Sequence, residues 1–493
     1  MPHMTCDDPI PMPPKPAEPG EGPLSPSALN TLHDASMQVL SRTGLVFAGS
    51  EAIDLFKRHG FRVDGKRVYF TESQVRNALS TVPPRFTILA RNPKHNIEMG
   101  PETVSFGMGR SAIIMVEPDG THRPGTMADH IVCAKLCPTM DDLEHWGPLI
   151  FPCEVPSVNV QLWMAHAMIV FVDKPYNYIN RDDIDIVALA HGATREQLAA
   201  YAGDGRSVGQ STIPALSPLG FTEESCRNLM AYAECGIAFH IGSMPIAGTT
   251  GPCSLAGILV QQNCENLAPI VLSQLVRPGC PVFYGAIGSH ADMRTMGTVF
   301  GSAEARIIER GGAQLARFYG LLCRGNAGLT DALPCDFQAG AEAMLHMINV
   351  VRNGPHFLPG CGLLGSYMGA ALGKVVLDAE LIACARRYVA PVIPDSETLA
   401  LDVIDAVGPG GQYVTHPHTL KHCRTAFSVS QVFNRKTYDR WAVEGKKDAW
   451  HLAHEKALKI IDAYERPPID AGLEQEIEAY VRRHWTGPLA PEF

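Results

Sequence analysis

The feature that most constrains this chain is an alternation that begins near residue 105. Short apolar runs of four to six residues end at Gly or Pro turns, and each is followed by a helical stretch of a dozen residues or more. Ile213-Pro214-Ala215-Leu216 precedes a helix expected over 222–235, and Met244-Pro245-Ile246-Ala247 one over 254–275. Pro281-Val282-Phe283-Tyr284-Gly285 leads to 303–319, Leu321-Leu322-Cys323-Arg324 to 337–352, and Phe357-Leu358 to 374–388. Strands alternating with longer helices imply βαβ units on a parallel sheet. At least five such units, with no G-x-G-x-x-G after the first strand, predict an α/β chain folded as a closed (β/α)8 barrel rather than a dinucleotide fold.

The barrel is expected to span 105–430. Residues 1–23 read as a disordered tail, with Pro at 2, 9, 11, 13, 14, 16, 19 and 23 and little to bury. Residues 24–104 read as a mixed, largely helical flank. Ser25-Pro26 has the form of an N-cap followed by Pro at the first helical position. A short helix follows over 51–59, Asp64-Gly65 marks a hairpin, 71–79 is helical, and Phe86 to Ala90 is a strand. Residues 431–493 are charged and helical over 436–464 and 472–484, and are expected to pack outside the barrel as a C-terminal helical extension.

Of the 493 residues, 46% are apolar, enough for a large core. Lys and Arg number 41 against 51 Asp and Glu, a net charge of −10 with no basic block, which argues against a nucleic-acid partner. The 14 Cys form no C-x-x-C pair. The first 26 residues hold no apolar signal core, and runs such as Ala167 to Val172 fall far short of the roughly 18 residues of a membrane span. A cytoplasmic protein with reduced thiols and no membrane partner is expected; the sequence leaves homo-oligomerisation open.

In a parallel barrel the functional residues follow the strand ends. The turn Ala247-Gly248-Thr249-Thr250-Gly251-Pro252 either offers backbone N–H groups to an anion or is simply a tight turn. The loop from Tyr284 to Arg294 places His290, Asp292 and Arg294 within five positions beside an aromatic, where a solvated loop is the alternative. Asn326 to Ala332, containing Asp331, feeds a helix on which Gln338, Glu342 and His346 share one face, lining either a pocket or solvent. Thr415-His416-Pro417-His418-Thr419-Leu420-Lys421-His422 is an H-x-H with a third His four residues on. Imidazoles so spaced can hold zinc, but no acidic or Cys partner stands beside them, which favours a structural or partner-facing use over a metal site.

Several motifs, in order, are similar to those of the trimethylamine methyltransferase family. They include Gly251-Pro252, Val260-Gln261-Gln262-Asn263, Leu272 to Val276, Met293-Arg294-Thr295 and Gln314-Leu315-Ala316-Arg317. Thr330-Asp331-Ala332, Asp336 with Gln338-Ala339-Gly340, Val376 to Glu380, Gly408-Pro409-Gly410-Gly411 and the His416 to His422 string with Arg424 continue the match. The resemblance covers nearly everything from Leu24. It implies a TIM barrel, and it implies that the three His are a family motif rather than a zinc site, with no metal bound.

The resemblance further implies transfer of a methyl group to the Co(I) corrinoid (cobalamin) of a separate corrinoid protein, with no cofactor held tightly by this chain. Members that demethylate methylamines carry pyrrolysine shortly after the Thr-Asp motif, where this chain has Leu333, Pro334 and Cys335. Members without it resemble glycine betaine and related quaternary-amine methyltransferases, and a quaternary ammonium already leaves as a neutral amine. Leu363 to Gly369, with Gly365 and Tyr367, is a second departure, where relatives have an acidic residue and a Ser/Thr-rich turn. The expected substrate-binding set is Tyr284, His290, Arg294, Asp331, Gln338, Tyr367 and Gly248: Tyr284 and Tyr367 for cation–π contact with the methylated head, and His290, Arg294 or the amides of Gly248 to Gly251 for a carboxylate. The alternative class is a metal-dependent barrel hydrolase built on His416, His418 and His422.

Overall fold

The expected alternation is present in the computed structural model, which describes residues 22–155, 157–352 and 354–486. The tail, up to residue 21, lies outside the described residues. In chain order the elements of the parallel sheet and the helices between its strands are β1 (Ser105–Met108), β2 (Gln210–Pro214), α1 (Glu223–Cys235), β3 (Ala238–Gly242), α2 (Leu255–Val276) and β4 (Val282–Gly285). They continue with α3 (Ala303–Phe318), β5 (Cys323–Arg324), α4 (Phe337–Val351), β6 (Phe357–Cys361) and α5 (Leu372–Val389). The sheet order is β2-β3-β4-β5-β6-β1 with every pair parallel.

The first strand therefore pairs with the last, and the sheet curls. Beyond β1, Gly107 bridges His145 and Trp146 bridges Tyr176, both in parallel, and the Gln210 N–H donates to the Tyr176 carbonyl at 2.8 Å. Gly107 is required at the first bridge: a Cβ there would lie 2.0 Å from His145 Nδ1 and 2.4 Å from the His145 carbonyl oxygen.

The side chains of Thr222, Ser254, Ser302 and Asp336 accept the N–H of Ser225, Gly257, Ala305 and Ala339, capping the four helices α1 to α4. Each such cap is worth about 1 kcal/mol and fixes where the strand-end loop stops. One expected strand is displaced. Met244 to Ala247 is loop, and the ladder is carried by Ala238–Gly242 just before it, because Pro245 has no N–H to donate.

The flank confirms its expected elements: helix Pro26–Gln38, helix Ser50–Arg58, the hairpin Arg62–Asp64 with Arg67–Tyr69, and helix Glu72–Leu79. A second hairpin, Phe86–Ile88 with Ile97–Met99, seals the N-terminal end of the curled sheet. Phe86 meets Phe283 at 5.2 Å, Phe283 meets Phe357 at 5.4 Å, and Phe357 stacks on His145 at 3.9 Å between ring centroids. Each buried Phe of this floor contributes about 2–3 kcal/mol.

At the other end of the chain the expected helix over 436–464 is two, Tyr438–Val443 and Ala449–Asp462, parted at Gly445 and Lys446, both with positive φ. The second packs on α5, where Gly373 leaves room for the Trp450 ring. Among the described residues no helix is long and apolar enough to cross a membrane.

Candidate active site

Side chains alternate along a strand, so the residues two positions above the aromatic floor share its face of the sheet. From Ala238 this leads to His240, and from Leu322 to Arg324 at the C-terminal end of β5. His145 joins them from the bridge, and Arg110 lies two residues beyond β1. The layer above the floor is polar. Gln210 Nε2 donates to His240 Nδ1, and Asn177 Nδ2 donates to His145 Nδ1 at 3.0 Å. Both imidazoles are neutral: burial, then the charge of Arg324, pushes His145 down to about 3 and His240 well below its usual range.

The two arginines are the unusual feature. Arg324 is 2% exposed. Neither it nor Arg110 has an ion pair among the described residues, and Arg110 Nη1, Arg324 Nε and Arg324 Nη1 are buried with no hydrogen-bond partner. Burial, then the repulsion of Arg324, holds Arg110 down to about 10; burial likewise lowers Arg324, against which the Tyr367 hydroxyl rests. The Arg110 guanidinium carbon lies 5.0 Å from the Tyr178 ring centroid. The nearby carboxylate, Glu309, is committed elsewhere, with Arg306 Nη1 at 2.8 Å, His346 Nε2 at 2.9 Å and the Asn326 N–H at 3.0 Å. Burying an unpaired charge costs several kcal/mol, so a layer holding two of like sign is a functional-site signature rather than a stabilising core.

Above this layer is an acidic rim. Asp331 accepts the N–H of Phe300 and Gly301 and the hydroxyl of Ser366. Glu342 accepts Thr330 Oγ1 at 2.7 Å, the Asp331 N–H at 2.8 Å and Gln338 Nε2 at 2.8 Å. Tyr367, at φ +77, packs edge-on to Phe300 at 4.8 Å. Around the same strand-end face Leu216, Met293, Met296, Leu333, Phe337 and Met368 are exposed, Phe337 to 91%.

Of the residues expected from the sequence, Asp331, Gln338 and Tyr367 come together at this rim. Tyr284 does not join them: its ring is fully buried and its hydroxyl donates to Asn263 Oδ1 of α2 at 3.2 Å, behind the strand. His290 is half-buried, with Nε2 2.8 Å from Ser302 Oγ, in a small hairpin whose tip carries Arg294. Arg294 is 83% exposed, and its Nε stands 3.8 Å from Asp292. Gly248, at φ +95, forms the turn its sequence suggests, with its N–H donated to the Gly251 carbonyl. His346, expected on a shared polar face with Gln338 and Glu342, is fully buried on Glu309.

His416, His418 and His422 lie on and beside a six-residue helix, with the His418 and His422 rings 4.4 Å apart and His422 Nε2 3.1 Å from Glu397. Among the described residues no group of three or more His, Cys, Asp or Glu is arranged to hold a metal. Arg110, Arg324, His145 and His240 were not singled out from the sequence. The available signal was Arg324 itself, a charge closing an otherwise apolar strand.

The family model described as trimethylamine methyltransferase (MTTB) matches residues 10–487. The chain belongs to that family and is a methyltransferase, which removes the hydrolase alternative. It is 34% identical over 470 residues to the glycine betaine methyltransferase of Desulfitobacterium hafniense (strain Y51), covering 93% of this chain and 96% of that one. To the trimethylamine methyltransferase MttB of Methanosarcina thermophila it is 28% identical over 467 residues, 92% of this chain and 95% of the relative. The crystal structure of the Methanosarcina barkeri monomethylamine methyltransferase aligns at a TM-score of 0.47 with 11% identity, over 89% of this chain and 98% of that one.

Proposed function

We propose that this methyltransferase takes a methyl group from a quaternary amine of the glycine betaine type and delivers it to the Co(I) corrinoid of a separate protein. In this reading the sheet is a closed (β/α)8 barrel whose two shortest strands are the bridged segments at 145–146 and 176–177. The observation that carries the substrate reading is Leu333-Pro334-Cys335, two residues after Asp331 at the rim. Where the pyrrolysine members carry their special residue, this chain has three ordinary ones, and the Leu333 side chain lies over Gly365. No residue there supplies the adduct that a tertiary amine needs. A quaternary ammonium needs none: as its methyl carbon is attacked, the C–N electron pair passes to nitrogen and a neutral tertiary amine departs, with no proton moved.

Bound corrinoid supplies the cobalt nucleophile, and this chain supplies the seat for the amine. The exposed apolar side chains around the strand-end face suit the docking of a second protein over the opening, since a patch of this kind at a functional mouth is typical of an interaction surface. Cytoplasmic location fits a strongly reduced acceptor. The test is purified protein with Co(I) cobalamin or a cognate corrinoid protein: loss of Co(I) absorbance with glycine betaine, and formation of dimethylglycine in equal amount, are expected. Turnover of trimethylamine with none of betaine would overturn the reading.

A further inference from the structure

We infer that Arg110 and Arg324 are a carboxylate clamp that seats a zwitterionic quaternary amine with its anionic end inward and its methyl groups toward the rim. This rests on the quaternary-amine reading above and adds to it the class of substrate and its orientation. Three guanidinium N–H-bearing atoms, Arg110 Nη1 and Arg324 Nε and Nη1, are buried and unpartnered, and His145 Nε2 in the same layer is a fourth unpartnered polar atom. A guanidinium presents paired N–H groups matched to the two oxygens of a carboxylate, and such charge-assisted bonds are roughly twice as strong as neutral ones. One anion between the two arginines would satisfy these donors and cancel a repulsion that the protein otherwise bears.

The charges are also ordered along the opening. The unpaired positive groups lie in the layer above the aromatic floor, whereas Asp331 and Glu342 are fastened at the rim beside Tyr367 and Phe300. A zwitterion entering carboxylate first therefore leaves its cation among acidic and aromatic groups and its methyl carbons outermost, the only side from which a separate protein can reach them. The reverse orientation would set a trimethylammonium against two arginines.

The experiment is equilibrium binding by calorimetry to the full chain without a corrinoid partner, using glycine betaine, dimethylglycine, acetate and tetramethylammonium as probes. Arg324→Gln and Arg110→Gln are each expected to weaken betaine and dimethylglycine by about 30-fold or more, as for one lost partner of a buried charge pair, and to leave tetramethylammonium unchanged. Because each variant removes one of two like charges, its ligand-free melting temperature should equal or exceed that of the parent; a merely structural arginine would lower it. Independently of any variant, acetate should compete with betaine on the parent chain. Carboxylate binding within about threefold of the parent in folded variants, or no competition by acetate, would overturn the clamp. If betaine still transfers its methyl in that case, the quaternary-amine reading stands alone; arginine-dependent carboxylate binding with no methyl transfer would uphold the clamp and sink that reading.

Discussion

Ser366 donates its hydroxyl to Asp331 Oδ1 at 2.6 Å, joining the loops that follow β6 and β5. The same carboxylate takes the N–H of Gly301 at 2.7 Å and of Phe300 at 2.9 Å, so one side chain fastens three strand-end loops. The fastening holds Ser366 at φ +54 and Tyr367 at φ +77, two successive non-Gly residues in the left-handed region, a strain of about 1–3 kcal/mol each. Asp331→Ala is expected to cost about 2–3 kcal/mol by leaving several donors unmatched, and Ser366→Ala about 1 kcal/mol. Urea unfolding measures both, and kcat/KM should fall with Asp331→Ala as Tyr367 is released from Phe300. An unchanged unfolding midpoint would show that the loops hold without this carboxylate.

Gly107 sits at one of the tightest approaches in the wall of the curled sheet. A methyl group there meets the ring and the backbone oxygen of His145 well inside contact distance, and backbone cannot swing aside. Gly107→Ala is expected to destabilise by about 3 kcal/mol, at the upper end for an overpacked site. Because the same shift would unseat His145 from Asn177 and Phe357, loss of substrate affinity should accompany the lower melting temperature. A variant that keeps both would mean that the wall breathes more than its bridges suggest.

Stability should fall steeply in acid. Burial pushes six imidazoles, those of His130, His145, His166, His191, His346 and His356, down to about 3 or 4. Unfolded, these rings take up protons near their ordinary value of about 6.5, so between there and about pH 4 the unfolded chain binds more protons and folding weakens as pH drops. Asp183 acts in the opposite sense. Burial raises its carboxyl to about 7, so the native state keeps a proton that the unfolded chain loses near its usual value, and that contribution disappears as pH rises from about 4 to about 7. The lowered imidazoles, His240 and His95 among them, outnumber the raised carboxyls of Asp183, Asp142 and Asp378 and decide the sign. Urea midpoints should drop from about pH 7 to about pH 5, and Asp183→Asn should raise the midpoint at about pH 8 while leaving the acid limb intact. A flat profile between those values would contradict the burial of the imidazoles.

The sequence reveals the helices of the α/β core more clearly than its strands, for a physical reason. The helix caps at Thr222, Ser254, Ser302 and Asp336 are local chemistry written within four residues, and the five helices expected between 222 and 388 form there. Single bridges such as Gly107 with His145 or Trp146 with Tyr176 leave no periodicity to read, and Pro245 drew the β3 assignment a few residues too late. At the site, Asp331, Gln338 and Tyr367 were visible as polar or aromatic residues on strand-end loops. Arg324 left one local sign, a charge closing an apolar strand, but only the register of β5 against β4 and β6 turns it to the inner face of the sheet, and Arg110, outside any strand, left none.

The contrast between Arg324 and Arg294 gives the sharpest expectation. Arg324 closes β5, and the arginine that the sequence favours for a carboxylate, Arg294, lies in the loop after β4. It stands at the tip of the hairpin formed by His290–Ala291 and Thr298–Val299, and Asp292 nearby is occupied by the N–H groups of Arg294 and Thr295. Those backbone bonds, with Arg294 itself a lesser contributor, keep the Asp292 carboxyl below its ordinary range. A guanidinium so exposed is screened by water and adds little to a bound anion. Arg294→Ala is therefore expected to change KM for glycine betaine by no more than about twofold and to affect a substrate without a carboxylate equally, whereas Arg324→Gln should raise KM for betaine selectively. Steady-state kinetics on both variants measures the difference. A large, betaine-specific rise in KM for Arg294→Ala would mean that the hairpin closes over the opening and brings that arginine to the substrate.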